Sequence, residues 1–207
     1  METRLQNSFP IIAAGIADHG YAIVDNFLTG NEVDRILALD SFAKNDGFRQ
    51  AGIGKHRNYQ VDEAIRGDQI QWLHYDSAPD PIRVYLDRLH ALRVFLKQAL
   101  FLSLVDVEVH QTIYPTGYYY KRHLDQFKKD DHRRLSVICY LNPDWSEREG
   151  GQLRIYLPNT YADVLPLAGR LICFRSDLLE HEVLPATRPR LSITGWMLDQ
   201  LAELRHL

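Results

Sequence analysis

Apolar residues recur every three or four positions through much of the first half of the chain and every second position through much of the second. Asn7 or Ser8 can cap a first helix, with Pro10 in its opening turn, Ile12 and Ile16 on one face and Gly20 ending it. Tyr21 to Phe27 reads as a strand. Thr29-Gly30-Asn31-Glu32 then has the form of a capping box, opening a helix that turns Val33, Ile36 and Leu37 inward and runs to about Asn45. A longer helix is expected from Asp80, as cap, and Pro81, at the first helical position. Its apolar face is Ile82, Tyr85, Leu86, Leu89, Leu92, Leu96 and Leu100, and it should lie across a sheet.

From Leu104 the period becomes two. Val105, Val107 and Val109 alternate with Asp106, Glu108 and His110, as a half-buried strand requires. A strand is also expected through Gln69 to Leu73, and further ones at Leu135 to Leu141, Gln152 to Leu157, Gly169 to Phe174 and Leu191 to Leu198, with turn chemistry at Asn142-Pro143-Asp144 and Gly150-Gly151. Helices followed by strands predict an α+β, mainly β, fold: a jelly roll, or double-stranded β-helix, backed by N-terminal helices. One domain over 1–207 is expected, with helical support over 1–103 and the β core over 104–198. Gly47 to Gln60 carries three glycines and few large apolar anchors, so it reads as a mobile loop; loops of this length in a compact domain are usually functional or disordered.

Composition narrows the classes. With 45% hydrophobic and 25% charged residues and a formal net charge of -3 over 207 residues, the chain reads as a globular protein without a generalised grip on nucleic acid. The basic residues Lys121, Arg122, Lys128, Lys129, Arg133 and Arg134 are interleaved with Asp125, Asp130 and Asp131 and read as a solvated face. No signal-peptide pattern and no membrane-length apolar run is present, so a cytoplasmic, membrane-free protein is expected; a monomer is expected separately. Cys139 and Cys173 lie within apolar strand-like runs and are expected as buried free thiols.

The candidate chemistry centres on His123-Leu124-Asp125. Side chains two apart on an extended segment share a face, so His123 and Asp125 can grip one ion while Leu124 turns away, and a distant histidine such as His181 completes a two-histidine, one-carboxylate triad of the kind that serves non-haem Fe(II). Nine histidines in the chain make a chance His-x-Asp an ordinary alternative. Arg190 opens an otherwise apolar strand; buried there it needs an anion, either an internal carboxylate or that of a ligand. His110, on an alternating strand, reads more readily as a hydrogen-bonded wall residue than as a further ligand, and its role stays open.

Several motifs occur together and in order. Ile65-Arg66-Gly67-Asp68-x-Ile70-x-Trp72, Tyr114-Pro115-x-Gly117, Arg122-His123-x-Asp125, Tyr140-Leu141-Asn142-x-Asp144-Trp145, Gly150-Gly151-x-Leu153-Arg154-Ile155, His181-Glu182-Val183 and Arg190-x-x-Ile193-Thr194-x-Trp196 resemble the prolyl hydroxylase domain family of Fe(II)- and 2-oxoglutarate-dependent oxygenases. The resemblance implies that His123, Asp125 and His181 bind Fe(II). It implies that Arg190 and Tyr140 bind the far carboxylate of the co-substrate 2-oxoglutarate, with Tyr114 and Thr194 lining its pocket. Tyr114 and Tyr140 read equally well as core aromatics from their own surroundings. Arg66, Asp68 and Trp196 are implied on the substrate side, and Gly47 to Gln60 as a finger-like loop over the site.

The activity so implied is hydroxylation of a prolyl residue in a target protein loop, with release of succinate and carbon dioxide and with ascorbate as a candidate reductant. In bacterial members the target is elongation factor Tu, and in animals the hypoxia-inducible transcription factor, where the reaction serves oxygen sensing. Two other readings are carried beside it: a related oxygenase acting on a small molecule or other non-prolyl substrate, and a non-enzymatic jelly-roll binding module.

Overall fold

The computed structural model describes residues 2–44, 46–52, 65–126 and 132–202, with side chains of residues 2–7 excepted. Two antiparallel sheets pack face to face, and helices cover the outer face of the larger one. The helices are α1 (Glu2–His19), α2 (Gly30–Leu37), α3 (Asp40–Lys44) and α4 (Asp80–Ala99). The strands are β1 (Tyr21–Val24), β2 (Arg49–Gln50), β3 (Gln69–Leu73), β4 (Asp106–Tyr114), β5 (Tyr120–His123), β6 (Arg133–Tyr140), β7 (Leu153–Leu157), β8 (Thr160–Val164), β9 (Leu171–Arg175), β10 (His181–Val183) and β11 (Arg190–Leu198). The large sheet runs β1-β9-β6-β11-β4-β3-β2 and the small one β5-β10-β7-β8, a jelly roll with helical backing as the alternation predicts.

Alternation on the central strands builds two cores. Leu135, Val137 and Cys139 of β6, Leu171 and Cys173 of β9 and Ile193 and Met197 of β11 face the helices, where they meet Ile12, Ile82, Tyr85, Leu89, Leu92 and Leu96. Their neighbours Ile138, Tyr140, Ile172 and Phe174 point the other way, onto Leu153, Ile155 and Val183 of the small sheet. A strand covered on both faces explains why β4 is buried from Val109 to Tyr114 rather than half-buried. Cys139 and Cys173 are both free and buried, as their apolar setting predicts.

Boundaries differ from the sequence reading where tertiary contacts decide them. α1 runs back through Pro10 to Glu2; the proline forfeits one backbone bond without ending the helix. The Thr29 capping box forms, with Glu32 N bonded to Thr29 Oγ1 at 3.3 Å and Thr29 N to Glu32 Oε2 at 2.8 Å. The helix it opens stops at Leu37, where a tight Leu39 N to Ile36 O bond separates it from α3. The cap of α4 is Pro79, and Asp80 is its first helical residue with no side-chain capping bond. Of the expected loop, residues 47–52 are described, β2 pairing with β3, while residues 53–60 lie outside the described residues, as do Lys128 and Lys129. Among the described residues no helix is long and apolar enough to cross a membrane.

Candidate metal centre and co-substrate pocket

The inner face of the large sheet carries a polar lattice in an otherwise apolar layer. On β11, Arg190, Ser192, Thr194 and Trp196 share this face. The register sets Arg190 opposite Tyr114, Ser192 between Thr112 and Tyr140, Thr194 between His110 and Ile138, and Trp196 between Glu108 and Ser136. Residues paired across strands stand side by side, so the register alone assembles a polar floor from three strands distant in sequence.

The small sheet supplies the facing groups. β5 and β10 pair so that His123 and His181 are direct cross-strand partners, with ring centroids 4.3 Å apart. Asp125 follows in the bend beyond β5, so its approach to His123 comes from the turn after the strand and not from the two-residue strand repeat. Asp125 Oδ1 lies 3.5 Å from His123 Nε2 and Oδ2 lies 3.7 Å from His181 Nε2, and the three ligand atoms all fall within 4.8 Å of one another.

Both imidazoles are oriented from behind. Nδ1 of His123 contacts the Lys121 carbonyl at 2.6 Å, and Nδ1 of His181 contacts the Leu179 carbonyl at 3.1 Å. A carbonyl only accepts, so each Nδ1 carries the proton and each Nε2 offers a lone pair to the shared point. Burial, with His123 acting the same way, pushes His181 down to about 4 and keeps it neutral. Burial opposes ionisation of Asp125, but in the acid range where His181 is itself charged, His181, His123 and Arg133 outweigh it and hold the carboxyl well below its usual range. Ser136 Oγ donates to Asp125 Oδ2 at 2.6 Å and also contacts Ser176 Oγ at 2.8 Å. This open set of two nitrogens and one oxygen can hold a divalent transition metal with positions to spare.

The same layer between the sheets holds a buried cation, Arg190, against Tyr114 and Tyr140, which cluster with Phe174, the ring packed on His181. Arg190 is 1% exposed; its Nε donates to the Gly151 carbonyl at 2.9 Å, and no acidic partner is present among the described residues. Its Nη2 and the hydroxyl of Tyr140 are both buried without a hydrogen-bond partner. The guanidinium carbon sits 5.2 Å from the Tyr114 ring and 5.0 Å from the Tyr140 ring. An unpaired guanidinium at this depth costs several kcal/mol, roughly, unless an anion joins it, and two buried donors side by side suit a carboxylate. The donor set thus fits both a metal and a dicarboxylate.

Residues 109–198 match the family model of the 2OG-Fe(II) oxygenase superfamily. A solved Pseudomonas putida prolyl-4-hydroxylase is 38% identical, with a TM-score of 0.83 over 93% of this chain and 100% of its own. The chain belongs to the prolyl hydroxylase family of Fe(II)- and 2-oxoglutarate-dependent oxygenases. A Trichoplax adhaerens prolyl hydroxylase, solved with a peptide fragment of the hypoxia-inducible factor oxygen degradation domain, has a TM-score of 0.85 at 27% identity over 99% of this chain and 93% of its own. The Caenorhabditis elegans hypoxia-inducible factor prolyl hydroxylase is 30% identical over 97% of this chain, and mouse Egl nine homolog 1 is 32% identical over 87%. The chain spans 29% and 47% of the lengths of these two curated relatives.

Within this prolyl hydroxylase fold the other residues marked in the sequence take definite places. Arg66 binds Asp68 through two bonds, Nε to Oδ1 at 2.7 Å and Nη2 to Oδ2 at 2.6 Å, and Asp68 is 1% exposed. The pair is thus an internal clamp. It holds the guanidinium 4.6 Å over the ring of Tyr120, which stacks on His123 at 3.6 Å. Trp196 is buried among Trp72, His110 and Arg133, whose guanidinium lies 3.4 Å from its ring, and its indole nitrogen has no partner. Trp72, 45% exposed, carries this aromatic wall to the surface. Of the basic cluster, Arg122 pairs with Glu180, Arg133 with Glu108 and Arg134 with Asp199.

Two residues of this centre went unmarked in the sequence reading. Ser136 carried a signal, a polar residue inside an apolar strand on the face that Tyr140 shares. Tyr120 carried none, since its stacking depends on where β5 ends.

Proposed function

We propose that this chain is a peptidyl-prolyl hydroxylase that uses Fe(II) and 2-oxoglutarate. His123, Asp125 and His181 would hold the iron, and Arg190 with Tyr140 would hold the far carboxylate of 2-oxoglutarate in a pocket lined by Tyr114 and Thr194. Iron and 2-oxoglutarate together would supply the oxidation that places a hydroxyl on a prolyl carbon, with succinate and carbon dioxide released. The chain supplies position and exclusion of water: the carbonyls of Lys121 and Leu179 aim the imidazoles, Ser136 fixes the carboxylate, and Phe174, edge-on to His181 at 4.7 Å, closes the apolar side.

The observation that carries this reading is the buried Arg190 in the same intersheet layer as the ligand set, with Nη2 and the Tyr140 hydroxyl unpaired. A polypeptide substrate is supported by the Trichoplax adhaerens relative, solved with a peptide. The aromatic wall of Trp72 and Trp196, backed by the Arg66–Asp68 clamp, is the proposed substrate side. Elongation factor Tu is the first target to test, and a cytoplasmic monomer using ascorbate as reductant is proposed with it. The experiment is incubation with Fe(II), 2-oxoglutarate and prolyl peptides or elongation factor Tu, following succinate and the gain of one oxygen on proline by mass spectrometry. Stoichiometric succinate and hydroxyproline support the reading. Oxygen incorporated into a free metabolite, with prolyl substrates untouched, sinks it.

A further inference from the structure

His110 is 2% exposed, and it heads an ordered run of hydrogen bonds that ends at Thr194 and Ser192, on the sheet face that Arg190 shares. Trp72, edge-on at 5.0 Å and 82°, and Trp196, at 5.4 Å, fix its ring. Nδ1 lies 3.2 Å from the Gln111 carbonyl and 2.9 Å from Thr112 Oγ1. Because the carbonyl only accepts, Nδ1 bears the proton, and Thr112 Oγ1 accepts from it as well. The Thr112 hydroxyl then donates to Thr194 Oγ1 at 3.3 Å. Thr194 and Ser192 lie 3.3 Å apart and carry two hydroxyl hydrogens for that one contact. One O–H is left over.

The register says where that hydrogen emerges. Ser192 stands opposite Tyr140, and Thr112 is on the same face as Tyr114, whose partner is Arg190. Three unspent donors therefore meet on one floor: Arg190 Nη2, the Tyr140 hydroxyl and the surplus hydroxyl of the Ser192–Thr194 pair. We propose that His110 is a positioning residue for the co-substrate, setting the direction of the His110–Thr112–Thr194 chain so that its last hydroxyl hydrogen is delivered to the carboxylate held by Arg190. This rests on the assignment of Arg190 to 2-oxoglutarate. Burial pushes His110 down to about 4, so it is a neutral imidazole with a fixed Nδ1 proton across the physiological range.

The test is calorimetric titration, without oxygen, of Mn(II)-loaded protein with 2-oxoglutarate and with 2-oxopentanoate, which has the same chain but no far carboxylate. His110→Met keeps side-chain bulk and removes the donor, Thr112→Val breaks the chain without changing shape, and His110→Asn places an N–H near the position of Nδ1. His110→Met and Thr112→Val should each weaken 2-oxoglutarate about tenfold, the scale of one hydrogen bond to a charged group, with 2-oxopentanoate and Mn(II) affinity unchanged. The double variant should be no weaker than either single one, and His110→Asn should recover most of the loss. In turnover the loss should appear in KM for 2-oxoglutarate rather than in kcat.

Wild-type protein that binds the two oxoacids alike overturns the reading of Arg190, and this inference with it. Wild-type protein that discriminates, with variants that discriminate equally or lose both oxoacids together, overturns this inference alone. Should His110→Met fail to fold, the isosteric Thr112→Val decides by the same criterion.

Discussion

Ser136, in the middle of β6, donates its hydroxyl to Asp125 Oδ2 at 2.6 Å, so a carboxylate in a bend is oriented by a residue of the rigid central sheet. Partners of metal ligands typically contribute about 10- to 100-fold in affinity. Ser136→Ala should therefore weaken Fe(II) or Mn(II) binding by roughly that factor, whereas His123→Ala, Asp125→Ala and His181→Ala should each abolish turnover. Metal titration monitored by calorimetry separates these cases. Full affinity retained in all three alanine variants would remove the triad from consideration.

Arg190→Ala should leave metal affinity intact and raise the 2-oxoglutarate requirement by two or more orders of magnitude, roughly, because the variant loses a charge-assisted contact in a dry site. Arg190→Lys should rescue only in part, since an ammonium cannot reproduce the fork that also bonds the Gly151 carbonyl. Thermal stability without ligand is the informative control. Removing a buried cation with no counter-ion should cost little or even stabilise, so a strongly destabilised Arg190→Met protein would count against an unpaired guanidinium.

Gly67 lies under a tyrosine ring. A Cβ there would sit 1.8 Å from Tyr118 Cδ1, while Gly67 N donates to the Tyr119 carbonyl at 3.1 Å, and Arg66 bridges to Tyr120. Gly67→Ala should destabilise by about 1–3 kcal/mol, the usual range for overpacking, and loosen the Arg66–Tyr120–His123 stack. Adding Tyr118→Ala should recover most of that loss in a melting experiment. Additive losses in the double variant would place the strain elsewhere.

The pH dependence of the metal-free protein carries a signature of His110. Burial lowers its folded pKa to about 4 from an ordinary 6.5, with Arg66 and Arg133 pushing the same way and Asp68 and the Gln111 carbonyl opposing. A depressed histidine pKa means that the unfolded chain takes up the proton first. This contribution is complete above about pH 6.5 and is lost as pH falls toward 4, by up to roughly 3 kcal/mol. Melting temperatures of wild-type protein should fall across that window more steeply than those of His110→Met. Parallel curves would assign the titration to other groups.

The alternation of Leu135 to Tyr140 and of Leu171 to Phe174 was enough to define strands with two buried faces, because periodicity records how one element meets its surroundings. The same is true of the apolar face of α4 and of the Thr29 capping box. The local pattern His123-x-Asp125 with a later His181, and a lone Arg190 in an apolar strand, likewise named the candidate site residues. The strands β5, β8 and β10, of 4, 5 and 3 residues, left weaker marks, since such short segments are ordered by their partners rather than by their own propensity. Tertiary structure alone set His123 opposite His181, put Arg190 opposite Tyr114 and set Ser192 between Thr112 and Tyr140. Those are relations of register between strands far apart in the chain. Register is fixed by hydrogen bonds and packing between elements, and no single element's sequence contains it.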